Sequence, residues 1–115
     1  MSYYACGDGW LPLIREAEAI VDKWNDEHPD AVLNFMSYCT DEKLELVDVK
    51  EKWGLLRLSC NFYPDDIYSK MRLLENRSKD ICEYCGSTEN VTTQRIRGWY
   101  KTLCPKCAEG DRNKF

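Results

Sequence analysis

Four cysteines near the end of the chain are spaced as two C-x-x-C pairs. Cys82 and Cys85 form the first pair, Cys104 and Cys107 form the second, and eighteen residues separate the two pairs. Two thiolate pairs brought together from separate turns supply four sulfur ligands in a tetrahedron, which is the coordination of structural zinc sites. The sequence therefore predicts one structural Zn²⁺ held by all four cysteines, in a zinc-binding module at residues 81–115.

The residues between and after the pairs predict how this module folds. Gly86 follows the first pair, where the chain must turn back sharply in a tight knuckle. Strand-forming residues flank Arg97-Gly98, which predicts a hairpin with its tip at this dipeptide. Pro105 follows Cys104, as expected in the opening turn of a helix. Knuckle, hairpin and helix in this order favour a treble-clef-type zinc finger over a zinc ribbon.

Residues 1–80 carry the signals of an α+β domain. An N-terminal helix is predicted from apolar residues at helical spacing, and His28-Pro29 ends it. Three runs then alternate with the period of half-buried strands, namely AVLNFMSYCT at 31–40, KLELVDVKEKW at 43–53 and LLRLSCNFY at 55–63. We expect a three-stranded antiparallel sheet with the first helix on one face. A second helix at 67–80 leads into Cys82 without a flexible linker.

The remaining cysteines indicate the compartment. The chain contains seven cysteines, an odd number, and its first residues lack the basic start and apolar run of a signal peptide. Cys6, Cys39 and Cys60 are therefore expected to be reduced thiols, and Cys39 and Cys60, which lie in apolar strand-like segments, are expected to behave as small apolar side chains. No window approaches the ~20 apolar residues of a membrane helix. These features predict a cytoplasmic protein without a membrane segment.

The ligand set argues against catalysis. A catalytic zinc keeps one position open for water, whereas four cysteines close the coordination sphere. The CEYCGS start resembles the knuckle of some HNH-type nucleases, but those enzymes need histidines that this segment lacks. The only histidine of the chain is His28, which is predicted to end the first helix. The sequence therefore predicts a protein that is not an enzyme.

Charge is distributed unevenly along the chain. Residues 1–66 contain 6 Lys/Arg and 14 Asp/Glu, whereas residues 91–115 contain 6 and 2. Basic residues alternate with aromatic ones in RIRGWYK, so the candidate nucleic-acid-binding residues are Arg95, Arg97, Trp99, Tyr100 and Lys101. The alternative is that Trp99 packs the hairpin onto the last helix and the basic side chains are solvated. The net charge of −4 disfavours a polyanionic partner.

Three stretches together resemble a known group of proteins. They are the Gly9-Trp10 helix start, VKEKWGLLRL at 49–58, and CEYCG followed by GWYKTLCPKC. Small phage and prophage proteins pair a V-K-E-K-aromatic-G-x-L-R segment with a C-terminal C-x-x-C-G and G-W-x-x-T-L-C zinc module. Members of that group often end the ligand set with histidine, where this sequence has Cys107. The resemblance implies a phage-encoded protein of the host cytosol more than a mechanism.

A second candidate surface is the charged segment that the resemblance includes. Lys50, Glu51, Lys52 and Trp53 form a turn between two predicted strands, and turns on a rigid sheet are common binding sites. A Trp53 folded back onto the core would give the same pattern.

These observations lead to two ranked hypotheses. The first is a non-enzymatic, zinc-stabilised phage accessory factor that contacts a host or defence protein. Its acidic surface would occupy the basic surface of a nucleic-acid-binding machine and so inhibit it. The alternative is a nucleic-acid-binding regulator that uses the basic and aromatic hairpin.

Overall fold

The structure is a computed structural model that describes residues 6–28 and 43–112. Within these ranges it contains three α-helices and two antiparallel two-stranded sheets, none of the helices being both long and apolar enough to cross a membrane. The elements are a 3-10 turn at Asp8–Trp10, α1 at Leu11–Glu27, β1 at Leu46–Lys52, β2 at Leu55–Cys60, α2 at Ile67–Arg77, a 3-10 turn at Ser78–Asp80, β3 at Thr92–Ile96, β4 at Trp99–Leu103 and α3 at Pro105–Arg112. The predicted combination of helices and sheets with a cysteine cluster near the C-terminus is confirmed.

Helix α1 covers one face of the β1–β2 hairpin, as the periodicity of its apolar residues predicts. Pro12 stands in the first turn, where its missing N–H costs nothing, and the chain leaves the helical conformation at His28. The indole of Trp24 donates to Asp65 Oδ2 at 2.7 Å, which ties the end of α1 to the start of α2. The core comprises Trp10, Leu13, Ile14, Ala17, Val21, Trp24, Leu44, Leu46, Val49, Leu56, Leu58, Cys60, Ile67, Met71 and Leu74.

A bulge in β1 changes which of its side chains face the core. Leu46 pairs with Cys60, and Asp48 pairs with the adjacent Ser59, so the register shifts between them. The extra residue, Val47, is exposed, while Leu46 and Val49 are both buried although they are three positions apart. Simple alternation would place these two side chains on opposite faces, and the bulge restores both to the core.

The three-stranded sheet expected from the sequence is not what the described residues form. The first predicted strand, residues 31–40, lies outside them. The free edge of β2 is closed by side chains: the amides of Leu56, Leu58 and Cys60 donate to Ser78 Oγ, Glu75 Oε2 and Tyr63 Oη at 3.0, 2.8 and 3.1 Å. A third strand therefore has no donors left to pair with on that edge.

The segment before α1 is bound directly to the first cysteine pair. The amide of Gly9 donates to Glu83 O at 2.6 Å, and the indole of Trp10 donates to Ile81 O at 2.9 Å. A Cβ atom on Gly9 would lie 2.0 Å from Cys82 O, so glycine is required by the close approach of the two backbones. The start of α1 and the cysteine-rich segment are thus in tight contact.

We predict that Gly9→Ala lowers the free energy of unfolding by about 2 to 3 kcal/mol, because the added methyl group overlaps Cys82 O. Gly110→Ala is the matched control, since a Cβ there meets no heavy atom within 4 Å and α3 gains up to about 1 kcal/mol from alanine. Urea denaturation measures both changes. Equal stability of the two variants would contradict the close contact.

Candidate metal centre and the adjoining aromatic surface

The four cysteines of the two C-x-x-C pairs come together at one point. Cys82 and Cys85 lie on the turn after the second 3-10 segment, Cys104 follows β4, and Cys107 lies in the first turn of α3. All four Sγ atoms lie within 4.8 Å of one another, and Cys85 Sγ is 3.7 Å from Cys104 Sγ. A tetrahedron of sulfurs at ~2.3 Å from a metal has edges of about 3.8 Å. The cluster therefore has the dimensions needed to hold one metal ion.

Backbone hydrogen bonds shape both ligand turns. Cys82 N donates to Ser87 O at 2.8 Å, and Gly86 N donates back to Cys82 O at 2.9 Å. Gly86 has a φ of +82°, a left-handed conformation that glycine adopts without steric cost. Ala108 N donates to Cys104 O at 2.9 Å and closes the first turn of α3. These bonds point both cysteine pairs toward the same centre.

The cluster is electrostatically suited to a cation. Burial disfavours ionisation of Cys82, but the backbone N–H groups of Cys85, Cys104 and Tyr84 outweigh it and lower the pKa of Cys82 to about 7. Burial and the neighbouring sulfurs raise the pKa of Cys107. One thiolate thus forms readily, whereas a full set of four needs a compensating positive charge.

The other cysteines lack this environment. Burial raises the pKa of Cys6 to about 11, with Glu83 adding to the effect, and burial alone raises the pKa of Cys60 to about 11. Both thiols therefore remain protonated near neutral pH. Cys39 lies outside the described residues.

A buried carboxylate organises the basic side chains of the β3–β4 hairpin. Asp111, on α3, is 2% exposed and accepts a hydrogen bond from Lys101 Nζ at 3.0 Å. Tyr84 Oη donates to Asp111 Oδ1 at 3.3 Å. The Arg97 guanidinium lies 3.7 Å from Asp111 Oδ2 and donates to the backbone oxygen of Asp111 at 2.6 Å. Burial opposes ionisation, but the hydrogen bond and charge of Lys101 lower the pKa of Asp111. Two of the five candidate nucleic-acid-binding residues, Arg97 and Lys101, are therefore paired with Asp111 of the same chain.

The turn between β1 and β2 packs against β3 and β4. Thr102 is fully buried, and its hydroxyl donates a hydrogen bond to Gly54 O. Since this uses its one proton, Thr93 Oγ1 must donate to Thr102 Oγ1 across 2.7 Å. A Cβ on Gly54 would lie 3.0 Å from Thr93 Cγ2, and Gly54 also has a φ of +82°. Close approach and backbone conformation both require glycine here.

This packing unites the two candidate binding surfaces. The Trp53 and Tyr100 rings lie 5.9 Å apart, and the Arg95 guanidinium lies over the Tyr100 ring, 5.9 Å from its centre. Between the two turns is a groove of about 340 Å³. We call it the aromatic groove; its lining residues are Glu51, Lys52, Trp53, Gly98, Trp99 and Tyr100. The turn at residues 50–53 and the hairpin at 95–101 are thus parts of one surface.

Two tryptophans of this groove are strongly exposed. Trp53 is 64% and Trp99 is 71% exposed, so neither ring folds back onto a core as the alternative interpretations of the sequence had it. Trp53 also has a φ of +59° at the first position of a two-residue hairpin turn, where asparagine, aspartate and glycine are favoured. A bulky side chain in this conformation is strained.

Sequence reasoning missed Asp111 and Thr102. Asp111 is one of only two acidic residues in the basic stretch 91–115, and it stands four positions after Cys107. On a helix this spacing puts it on the same face as the ligand, which could have identified it. Thr102 gave no signal, because its partner Gly54 is 48 positions away.

The chain was also compared with known proteins. No family model, no curated protein and no solved structure matches it.

We predict that the purified chain contains about one metal ion, and that serine at any one of Cys82, Cys85, Cys104 or Cys107 removes it, because three thiolates leave an incomplete shell. Cys60→Ala is the matched control, since Cys60 lies at the end of β2 in the core described above and its loss is expected to leave the metal content unchanged. Inductively coupled plasma mass spectrometry gives both the element and its amount. Serine variants that retain as much metal as the wild-type chain would contradict the assignment.

Proposed function

We propose that this chain is a non-enzymatic, zinc-stabilised protein that acts by binding another protein through the aromatic groove. The metal would be zinc, held by Cys82, Cys85, Cys104 and Cys107. A tetrahedral set of four sulfurs is typical of structural zinc, and the chain presents its ligands on a knuckle and a helix flanking a hairpin, the order of a treble-clef zinc finger. When bound, the zinc would neutralise the thiolates and fix the hairpin.

A structural role for the metal agrees with the surroundings of the cysteines. Four sulfurs complete a tetrahedral shell and leave no position for a reacting water. His28, the only histidine, donates through Nδ1–H to Trp24 O at 2.9 Å and stacks on the Trp24 ring at 4.4 Å. It is thus engaged at the end of α1, which supports a function without acid–base catalysis.

The observation that carries the proposal is the pair of exposed tryptophans in the groove. Exposing a large aromatic ring to water is unfavourable, and holding Trp53 at a positive φ adds strain of the order of 1 kcal/mol. Trp, Tyr and Arg are the residues that dominate the energetics of protein interfaces, and Trp53, Trp99, Tyr100 and Arg95 all occur here. A binding partner that covers these rings would account for their cost.

The nucleic-acid alternative has less support. Binding to a polyanion rests on several phosphate contacts, and each contact needs an available cation. Arg97 and Lys101 are engaged with Asp111, which leaves Arg95 from the basic residues of the predicted set. The chain as a whole carries a formal net charge of −4.

The biological setting that we propose is based on the sequence resemblance. The resemblance to small phage and prophage proteins supports a phage accessory factor that acts in the host cytosol on a host or defence protein. The exposed acidic residues of α1, among them Asp22, Asp26 and Glu27, would add electrostatic attraction if the partner has a basic nucleic-acid-binding surface.

Trp53→Asn tests the proposed function. We expect its free energy of unfolding to stay within about 1 kcal/mol of the wild-type value, because relief of the strained turn offsets the lost ring contact with Tyr100. Capture of the partner protein from lysate, quantified by mass spectrometry against the wild-type chain, should fall at least about tenfold.

Leu73→Gln is the matched control for this experiment. Leu73 is 63% exposed on α2, comparable with Trp53, and does not line the groove. This variant should capture the partner as the wild-type chain does. A partner retained equally by Trp53→Asn would show that the groove is not the binding surface.

A further inference from the structure

We infer that the aromatic groove binds an extended, acidic segment of the partner protein, with a proline or other apolar side chain of that segment inserted between the aromatic rings. This inference rests on the proposed function and adds the chemistry of the bound segment. It follows from the shape, the ring composition and the charge of the groove, taken together.

The size and lining of the groove favour an extended chain. Its volume of about 340 Å³ is at the lower end of ligand pockets, so it accommodates individual side chains and not the ~10 Å width of a helix. Trp53, Trp99 and Tyr100 provide aromatic walls, and Gly98 leaves the backbone of the hairpin tip uncovered, with no heavy atom within 4 Å of where its Cβ would be. Grooves lined by aromatic rings receive proline-containing extended segments because these lose little conformational entropy on binding.

The charges beside the groove select for acidic residues. Lys52 and Arg95 are exposed and form no ion pair within residues 6–28 and 43–112; Arg95 lies over the Tyr100 ring. Glu51, the acidic residue of the lining, is directed into its own turn, where one carboxylate oxygen accepts a hydrogen bond from Gly54 N at 2.7 Å. Glu51, Lys52 and Arg95 together therefore carry a formal charge of +1, on a chain whose net charge is −4.

The neighbouring basic residues show that this positive charge is specific to the groove. Lys50 lies 3.5 Å from Asp48, and Lys101 lies 3.0 Å from Asp111. These cations next to the groove thus each have a carboxylate partner, unlike the two that flank the rings. Acidic residues on a bound segment would pair with Lys52 and Arg95, which increases the association rate and orients the segment.

The same charges argue against two other occupants. A second copy of this chain, bound symmetrically through the groove, would bring two surfaces of the same positive charge together and is therefore disfavoured. A single-stranded nucleic acid could stack on the tryptophans, but two uncompensated cations supply few phosphate contacts.

The experiment is a selection from a displayed library of random linear peptides on the full, metal-loaded chain. Retained peptides should be net acidic and should contain proline or another apolar residue. The most enriched peptide should bind Trp53→Asn at least about tenfold more weakly than the wild-type chain, and Leu73→Gln as the wild type does. Its binding should weaken several-fold between about 0.05 M and about 0.3 M salt, because screening reduces the attraction.

A charge-reversed version of the enriched peptide, with lysine at each acidic position, is the matched ligand control and should bind at least about tenfold more weakly. Retention of basic peptides, equal binding of the charge-reversed peptide, or no retained peptide would overturn the inference. Oligo-dT binding as tight as that of the enriched peptide would also overturn it, in favour of nucleic acid. If protein capture depends on Trp53 but no acidic peptide is retained, the proposed function stands and only the partner chemistry is wrong.

Discussion

The convergence of four sulfur atoms is the constraint on which the C-terminal third of this structure depends. All four lie within 4.8 Å of one another, where four thiolates repel unless a cation lies between them. The second apolar cluster is small, with Ile96, Leu103 and Ala108 as its buried members besides cysteines. So few apolar contacts cannot offset the entropy of ordering a turn, a hairpin and a helix. The metal would supply what this cluster lacks.

A short path of contacts links the metal centre to the aromatic groove. Cys104 follows directly on β4, and Thr102, two residues earlier, holds Gly54 through its buried hydroxyl. Gly54 in turn fixes the strained conformation of Trp53, whose ring lies beside Tyr100. The groove is therefore built jointly, one wall by the first sheet and the other by the hairpin that precedes the second cysteine pair. Displacement of the hairpin would separate the two walls.

Local sequence patterns predicted much of this arrangement, because helices, turns and ligand spacings are encoded by neighbouring residues. The bounds of α1, the turns at Trp53-Gly54 and Arg97-Gly98, and the helix after Cys104 all follow from periodicity, glycine and proline. The sheet was predicted less well. Alternation does not show that Val47 is bulged out, nor that Glu75 and Ser78 occupy the amides on the edge of β2.

The contact between the turn at Trp53-Gly54 and the hairpin at residues 95–101 could not be predicted from the sequence, for a related reason. It depends on contacts between residues far apart in the sequence, such as Thr102 with Gly54, and neither residue has a local signature of that contact. The same holds for Arg97 and Lys101, because nothing within RIRGWYK indicates that α3 places Asp111 beside them. In the sequence the two candidate surfaces are therefore separate, and the tertiary packing combines them.

The central claim is that the metal-bound cysteines hold the walls of the groove together. The most direct measurement is the set of indole N–H resonances from the four tryptophans, recorded by NMR as zinc is titrated into the metal-free chain. We expect the Trp53 and Trp99 signals to move from random-coil positions to dispersed ones and to stop changing at one equivalent, while the signal of Trp24, which is hydrogen-bonded to Asp65 in the main core, changes little. Trp53 and Trp99 signals that are the same with and without zinc would contradict it.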